Sequence, residues 1–449
     1  MQHRMLHIVV VAMTALAGAA HAQTYDPANG IPADSSLARG VLKDLPIISD
    51  ARAALAQKGV YFQSIYNTDA LANLSGGMKR GAGYSGRLEL TTDIALDKLL
   101  GAGSLLANGK IHANAFSIQG PGVTNRLVGS YATISNIEAL PTFRLFEAWY
   151  EHTLGPWSLR VGQIGVDSEH ATSATAGQFN DGTFGWPALA AANLPSGGAA
   201  YPLATPGARL KYASKAFEWQ IAALNGDPAP AGVDPSPQRR DPHGLDFRLR
   251  GGVYLVSELK IFMPWSDDAA LKIGVWRHTG QFNDMRWDVA RAPIAWTGAP
   301  ALRHSGDYGV YGAFDTPVPG VQDTSFFMRA FVAPGDRNPV SHQLDLGAVR
   351  KGVFFRDRDS FGVAVSLLRL SSGLRAYDAD AVFFGAGRFV RSFEAALEAN
   401  YTWQVTDGWS LQPNLQYVVN PGGRAADPYD PARVIRNATA FSLRSQLKF

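Results

Sequence analysis

At 449 residues, 46% hydrophobic and without a cysteine, the chain is too polar for a bundle of membrane helices (mean hydropathy -0.07) and has no thiol for disulfide, metal or nucleophilic chemistry. Its net charge of +3 comes from 41 Lys and Arg against 38 Asp and Glu, and the Arg239-Arg240 pair stands alone in a Pro-rich stretch, which excludes a nucleic-acid partner. No metal or cofactor is expected from this composition.

Met1 to Ala22 reads as a signal peptide: Arg4 lies in a short basic region, an apolar run covers Ile8 to Ala20, and Ala20-His21-Ala22 supplies a small-x-small cleavage site. Residues 23–58 are expected to form a periplasmic N-terminal segment, as a tail, a partial plug or a tether. It is turn-rich from Tyr25 to Pro32, and Ser49-Asp50 before Ala51, Ala53, Ala54, Leu55 and Gln57 predicts a short capped helix that Gly59 ends.

From Gly59 onward the chain breaks into about sixteen extended segments: 59–73, 84–97, 105–118, 142–154, 157–166, 207–215, 216–224, 248–263, 269–280, 304–315, 324–334, 342–351, 360–370, 391–406, 409–419 and 439–449. Many alternate cleanly. Leu88, Leu90 and Ile94 oppose Arg87, Glu89 and Asp93; Leu397, Ala399 and Tyr401 oppose Glu398, Asn400 and Thr402; Phe441, Leu443, Leu447 and Phe449 oppose Ser442, Arg444, Gln446 and Lys448. A charge facing lipid at mid-bilayer costs about 2–4 kcal/mol, so charges kept to one face must meet water or one another. A sandwich with one wet face shows the same period. Connection lengths separate the two. Even-numbered connections such as Gly155-Pro156 and Asp407-Gly408 are short, while several odd ones, among them Gln119 to Pro141 and Asp167 to Pro206, are long. That parity is the bacterial outer-membrane pattern, with two longer even connections, Thr316 to Asp323 and Gly352 to Asp359, and one short odd one, Gly335 to Ser341, as exceptions. The expected fold is therefore all-β: a transmembrane antiparallel barrel over 59–449, in the outer membrane, in contact with lipid and lipopolysaccharide, as a monomer or a homotrimer.

The inward face carries both signs, including Arg87, Glu89, Asp93, Lys110, His112, Arg160, Arg209, Lys211, Glu218, Lys272, Glu394, Glu398 and Arg444. Mixed charge suits neutral, hydroxyl-rich solutes such as small sugars; the slight basic excess suits an unselective or anion-preferring pore. In the fourth segment Glu147, Trp149 and Glu151 fall inward with Phe146, Ala148 and Tyr150 outward, so Trp149 offers an apolar plate for the C–H face of a sugar between two acceptors. Trp276, near Lys272, is a second plate or a side chain packed under an infolded loop. The long 167–206 stretch, with Phe179, Phe184 and Trp186, is expected to cap or narrow the barrel. Ser168, Glu169, His170 and Ser173 raise a third possibility, a barrel lipid or ester hydrolase, against which stands the absence of any G-x-S-x-G or H-E-x-x-H motif.

Several stretches resemble the OprB-type carbohydrate-selective porins of Gram-negative bacteria: FEAWYEHTLGPWSLRVGQIGVDSEHATS (Phe146–Ser173), PSGGAAYPLATPGARLKY (Pro195–Tyr212), HGLDFRLRGGVYLVSELK (His243–Lys260), GDYGVYGAFD (Gly306–Asp315), APGDRNPVSHQLDLGAV (Ala333–Val349) and YTWQVTDGWSLQPNLQYVVNPGG (Tyr401–Gly423). The resemblance implies a sixteen-stranded barrel passing sugars by facilitated diffusion past an infolded loop and a charged constriction. It carries Glu147, Trp149, Arg160, Asp167 and Glu169 as matching positions; the residues themselves add Glu151, Arg209, Lys272 and Trp276 as pore lining. The chain departs from the family where Leu42 to Pro46 reads LKDLP in place of a Gly-Asp-Trp-Gly-Gly-like stretch.

Overall fold

The computed structural model describes residues 40–42 and 44–449, so the signal peptide read over 1–22 and residues 23–39 and 43 of the N-terminal segment lie outside the described residues. Helix α1 (Pro46–Gln57) comes first. It starts a turn earlier than Ser49-Asp50 predicts because Pro46 supplies a ready-made first-turn φ; Ser49 sits inside and bonds back to the carbonyls of Leu45 (3.2 Å) and Pro46 (3.1 Å). Gly59 ends it at φ +80°, where a Cβ would lie 2.6 Å from the Ala95 carbonyl oxygen.

The strands are β1 (Val60–Gly77), β2 (Gly81–Ala95), β3 (Gly109–Gln119), β4 (Thr142–Leu154), β5 (Trp157–Ile164), β6 (Thr205–Ala213), β7 (Phe217–Asn225), β8 (Val253–Phe262), β9 (Ala270–Asp288), β10 (Ala301–Pro317), β11 (Thr324–Val332), β12 (Val340–Val353), β13 (Arg356–Leu370), β14 (Phe393–Thr406) and β15 (Trp409–Val419). A two-residue β16 (Ala426–Asp427) and β17 (Asp430–Val434) make a small separate ribbon, and β18 (Arg436–Lys448) completes the wall. Each strand of the sixteen-stranded barrel pairs antiparallel with its neighbour, and β18 joins β15 to β1, with Tyr66 opposite Leu447 and Asp69 opposite Arg444. Closure leaves no edge unpaired, which a strand wall in hydrocarbon requires.

Side chains sort as the alternation predicts. On β14 and β15, Leu397 and Leu415 are exposed on the outer face, while Glu394, Glu398 and Gln416 are buried inside. Most turns on the α1 side are short, including 155–156, 214–216 and 407–408, with 96–108 the longest; the other end carries the long segments 120–141, 165–204, 226–252 and 371–392 beside short 78–80 and 333–339. One expected exception disappears. β12 and β13 pair down to Val353 opposite Arg356, leaving Phe354-Phe355 as a two-residue turn with both φ positive, the geometry of a tight hairpin.

Two departures bear on function. In β4 the register slips between Asn114 opposite Glu147 and Ala115 opposite Leu145, so Phe146 is a bulge residue. Phe146 is buried against Phe116 and Tyr201 and does not face lipid as strict alternation predicts. Strand β9 runs on to Asp288 and β10 starts at Ala301, beyond the expected limits of 280 and 304, and helix α3 (Ser372–Phe383), also unpredicted, is capped by Ser371 and tied by Arg286 to Asp380 (2.7 Å). The barrel interior is filled by loops. Segment 165–204, which includes helix α2 (Ala188–Asn193), buries Phe179 and Phe184 against inward Phe327, while Leu189 and Leu194 join Tyr254, Trp276, Tyr311 and Phe331. Each large side chain so buried contributes about 1.5–3 kcal/mol.

Candidate constriction and vestibule

Strand register sets up the charged row. Glu151 on β4 is opposite Arg160 on β5, which is opposite Arg209 on β6, so three ionic side chains stand abreast on the lumenal face. Two adjacent arginines repel unless anions separate them. Glu151 does so from the wall, meeting Arg160 Nε at 3.0 Å and the Arg209 guanidinium, and Glu169 does so from the infolded loop. Arg209 donates to both Glu169 oxygens at 2.9 Å, a bidentate pair, and Arg160 lies 3.4 Å away. Burial raises the Glu169 pKa, but the two guanidiniums outweigh it and hold this carboxyl down at about 2.

Trp149 has both faces occupied. The Arg160 Cζ is 3.6 Å from its ring centroid, and the His112 ring, arriving from β3 directly opposite, stacks at 4.5 Å with planes 13° apart. Only 7% of the residue is exposed. The indole thus aligns Arg160 and His112, with Lys110 Nζ also 5.7 Å from its ring, and its Nε1 is buried. Glu147, turned inward beside the bulge, accepts the Gly165 N–H at 2.8 Å and fixes the point where β5 becomes loop.

The far wall grips the loop by its backbone. Lys272 donates to the Thr172 carbonyl (2.8 Å) and hydroxyl (2.6 Å); Glu258 accepts from Ala171 N–H (2.7 Å); Glu398 accepts from Asn180 and Asp181 N–H (2.7 and 2.8 Å). Arg329, buried with Asp345 at 2.8 Å, donates to the carbonyls of Ala171, Thr183 and Gly185. Trp276 lies under this loop, near Tyr254, and Gly309 opposite makes room: a Cβ there would sit 2.5 Å from Trp276 Nε1. Glu394 performs the same service for segment 120–141, accepting from Tyr131 and Ala132 N–H. The two loops also bond to each other, through Asn136 N–H to Asn180 O and Gly182 N–H to Thr133 O.

Between the loops a cavity of about 350 Å³ is lined by Arg87, Tyr131, Asn136, Asp167, Trp186 and Tyr201 among others. Asp167 accepts the Tyr201 N–H through Oδ2 at 2.9 Å, and its Oδ1 has no hydrogen-bond partner. Burial pushes this carboxyl up to about 6, against the pull of Arg87. Glu138 Oε1 and Arg87 Nε are likewise buried without a partner, so the lining holds unspent acceptors and a donor beside aromatic rings.

A sequence model of the family described as "Carbohydrate-selective porin, OprB family" matches residues 79–449. The chain belongs to that family. It is 22% identical over 435 residues to Porin B of Pseudomonas aeruginosa, covering 87% of this chain and 89% of that one. Among solved structures it is similar to the high-pH structure of Pseudomonas putida OprB (TM-score 0.78, 20% identity, 89% of this chain and 96% of that one) and to the low-pH structure of the same protein (0.51, 16%, 90% and 98%). These likenesses concern the fold, a channel of the Gram-negative outer membrane.

In this OprB-family porin the hydrolase set does not assemble. Ser168 donates to the Gly165 carbonyl, Ser173 donates to Asp315, Glu169 is held by arginines, and neither ring nitrogen of buried His170 has a hydrogen-bond partner. Of the sequence-derived site residues, Trp149, Glu151, Arg160, Glu169 and Arg209 come together in one cluster. Glu147 and Asp167 sit at the loop's base, and Lys272 and Trp276 stand on the far wall beneath it. Arg329, Asp315 and Gln343, which also hold the loop, escaped the sequence reading. An arginine breaking an otherwise apolar inward face (Phe327, Phe331) was the available signal.

Proposed function

We propose that this carbohydrate-selective porin passes neutral solutes of monosaccharide or polyol size, and that Glu151, Arg160, Glu169 and Arg209 form the polar rail along which their hydroxyls exchange hydrogen bonds. The observation that carries this reading is the row itself: two carboxylates and two guanidiniums in contact cancel as charge while still presenting fixed donors and acceptors. A ring of one sign would favour an ion; a neutralised row favours a solute that both donates and accepts. Trp149 sets the plane of Arg160, Glu147 and Asp167 fix the base of the narrowing loop, and Lys272 and Trp276 hold its far side. The aromatic vestibule lined by Arg87, Tyr131, Trp186 and Tyr201 receives the solute first. On this reading the outer face meets membrane lipid, and a monomer and a homotrimer conduct by the same route in each chain.

Planar-bilayer recording of the refolded porin tests it. Glucose-sized sugars and polyols should block the ionic current in a concentration-dependent way, and replacing both Arg160 and Arg209 by Gln should weaken that block at least tenfold. Strong anion preference in a KCl gradient, with no block by any sugar, would instead make this an anion-preferring diffusion pore.

A further inference from the structure

On three strands the outward apolar run stops, at the end away from α1, on a basic side chain. β9 reads Ile273, Val275, then Arg277; β12 reads Leu346, Leu344, then His342; β13 reads Val365, Leu367, then Arg369. All three basic residues are exposed, as are Ile273, Val275, Leu344 and Leu367 beneath them. Short turns mark the α1 side as periplasmic, so this rim lies at the extracellular interface. His342 is directly opposite Arg369, which is directly opposite exposed Phe393; Arg277 is directly opposite exposed Tyr308. Neither Arg277 nor Arg369 has an acidic partner among the described residues. Asp336 is already engaged by Arg337 (2.8 Å), whose guanidinium also lies 6.0 Å from the Tyr308 ring, and Asp307, next to Tyr308 in the chain, is buried and bonded by Asn338. At the periplasmic ends β9 and β11 close their apolar runs on Leu271 and Phe326, and although Arg350 on β12 and Arg356 and Arg358 on β13 are exposed, Arg356 is paired with Asp359 (2.6 Å) and Arg358 with Asp407 (2.6 Å).

We propose that this rim binds a phosphorylated glycolipid of the outer leaflet, with Arg277 and Arg369 on its phosphates, His342 between them, Tyr308 and Phe393 at headgroup depth, and the acyl chains along the apolar belt. Arginine suits a phosphate because its planar fork donates two parallel hydrogen bonds, and aromatic rings settle where one end is greasy and the other wet. Arg277 and Arg369 are four strand spacings apart, about 19 Å at about 4.8 Å per strand, too wide for one phosphate and suited to a headgroup phosphorylated at both ends of a disaccharide.

The refolded full barrel in detergent, titrated with bis-phosphorylated lipid A, with the same lipid stripped of phosphate and with phosphatidylglycerol, decides the matter by native mass spectrometry. Wild type should bind the bis-phosphorylated lipid at least tenfold more tightly than the other two. Arg277→Glu with Arg369→Glu should abolish that preference, and the double Lys variant should retain most of it. Should the charge-reversed pair not refold, Arg277→Ala and Arg369→Ala singly are each expected to weaken binding several-fold. Preference kept in the reversed or single variants, or phosphatidylglycerol bound as tightly as lipid A, overturns the proposal. Sugar block is expected to be unchanged in every variant, which keeps this test separate from the sugar reading.

Discussion

Replacing Glu398 by Ala should let the infolded loop swing away from the wall while leaving the barrel standing. The carboxylate accepts the Asn180 and Asp181 N–H groups at 2.7 and 2.8 Å and is also bonded by Asn400 and Asn414. Truncation strands the two loop N–H groups where water does not reach. Each stranded donor costs about 1–3 kcal/mol, so the loop loses roughly 2–6 kcal/mol against its open state. At about 1.4 kcal/mol per factor of ten, the open fraction rises about thirty-fold at the low end. The chain has no cysteine, so Ala176→Cys, buried in the closed loop, supplies a clean reporter. Maleimide labelling at position 176 should accelerate by that factor in Glu398→Ala, single-channel conductance should rise, and sugar block should fall. Glu398→Gln keeps one acceptor oxygen and should fall between. Unchanged labelling and conductance in Glu398→Ala would refute the idea that wall carboxylates hold this loop.

Trp149→Ala removes the plate that aligns Arg160, an interaction worth about 0.5–2 kcal/mol, and should weaken sugar block up to about thirtyfold with little change in open conductance. Asp167 has its folded pKa raised to about 6, against an unfolded value of about 3.9. The native carboxyl therefore holds a proton across that window which the unfolded chain has lost, so the loop gains stability as pH falls from about 6 to 4 and loses it as pH rises. Asp167→Asn should remove this dependence and match the low-pH wild type in labelling rate at position 176. Arg329→Met leaves Asp345 buried without its guanidinium and frees three loop carbonyls, a loss of about 3–5 kcal/mol that should appear as a lowered Tm in detergent.

The wall was legible because lipid outside and water inside impose opposite demands on alternate residues. All sixteen segments from 59 onward correspond to barrel strands, and the parity of connection lengths gave their orientation. Where water was not what lay inside, the reading blurred. Tyr311 and Phe327 face inward beneath the loop, whereas Tyr308 and Phe326 face outward, so β10 and β11 carry aromatic residues on both sides and alternation alone leaves their faces open. The Phe146 bulge was invisible because one extra residue changes parity without changing composition. Trp149 was recognisable as inward-facing, but that His112 and Arg160 would cover its two faces depends on strand register, which a single sequence does not supply. Glu394 and Glu398 were seen as lumenal charges; that they serve loop backbone and not solvent depends on a fold-back by residues distant in sequence.

That the loop is moored chiefly through main-chain N–H and carbonyl groups has a consequence for how such a channel diversifies. A peptide group is present whichever side chain it bears, so apart from residues moored by their own side chains, such as Glu169 on Arg209 and Ser173 on Asp315, those of 165–204 that face the passage are at liberty to vary without casting the segment adrift. Solute preference can then drift by substitution along the loop while Lys272, Arg329, Glu258 and Glu398 stay put, which makes this stretch the natural place to redesign what the channel admits.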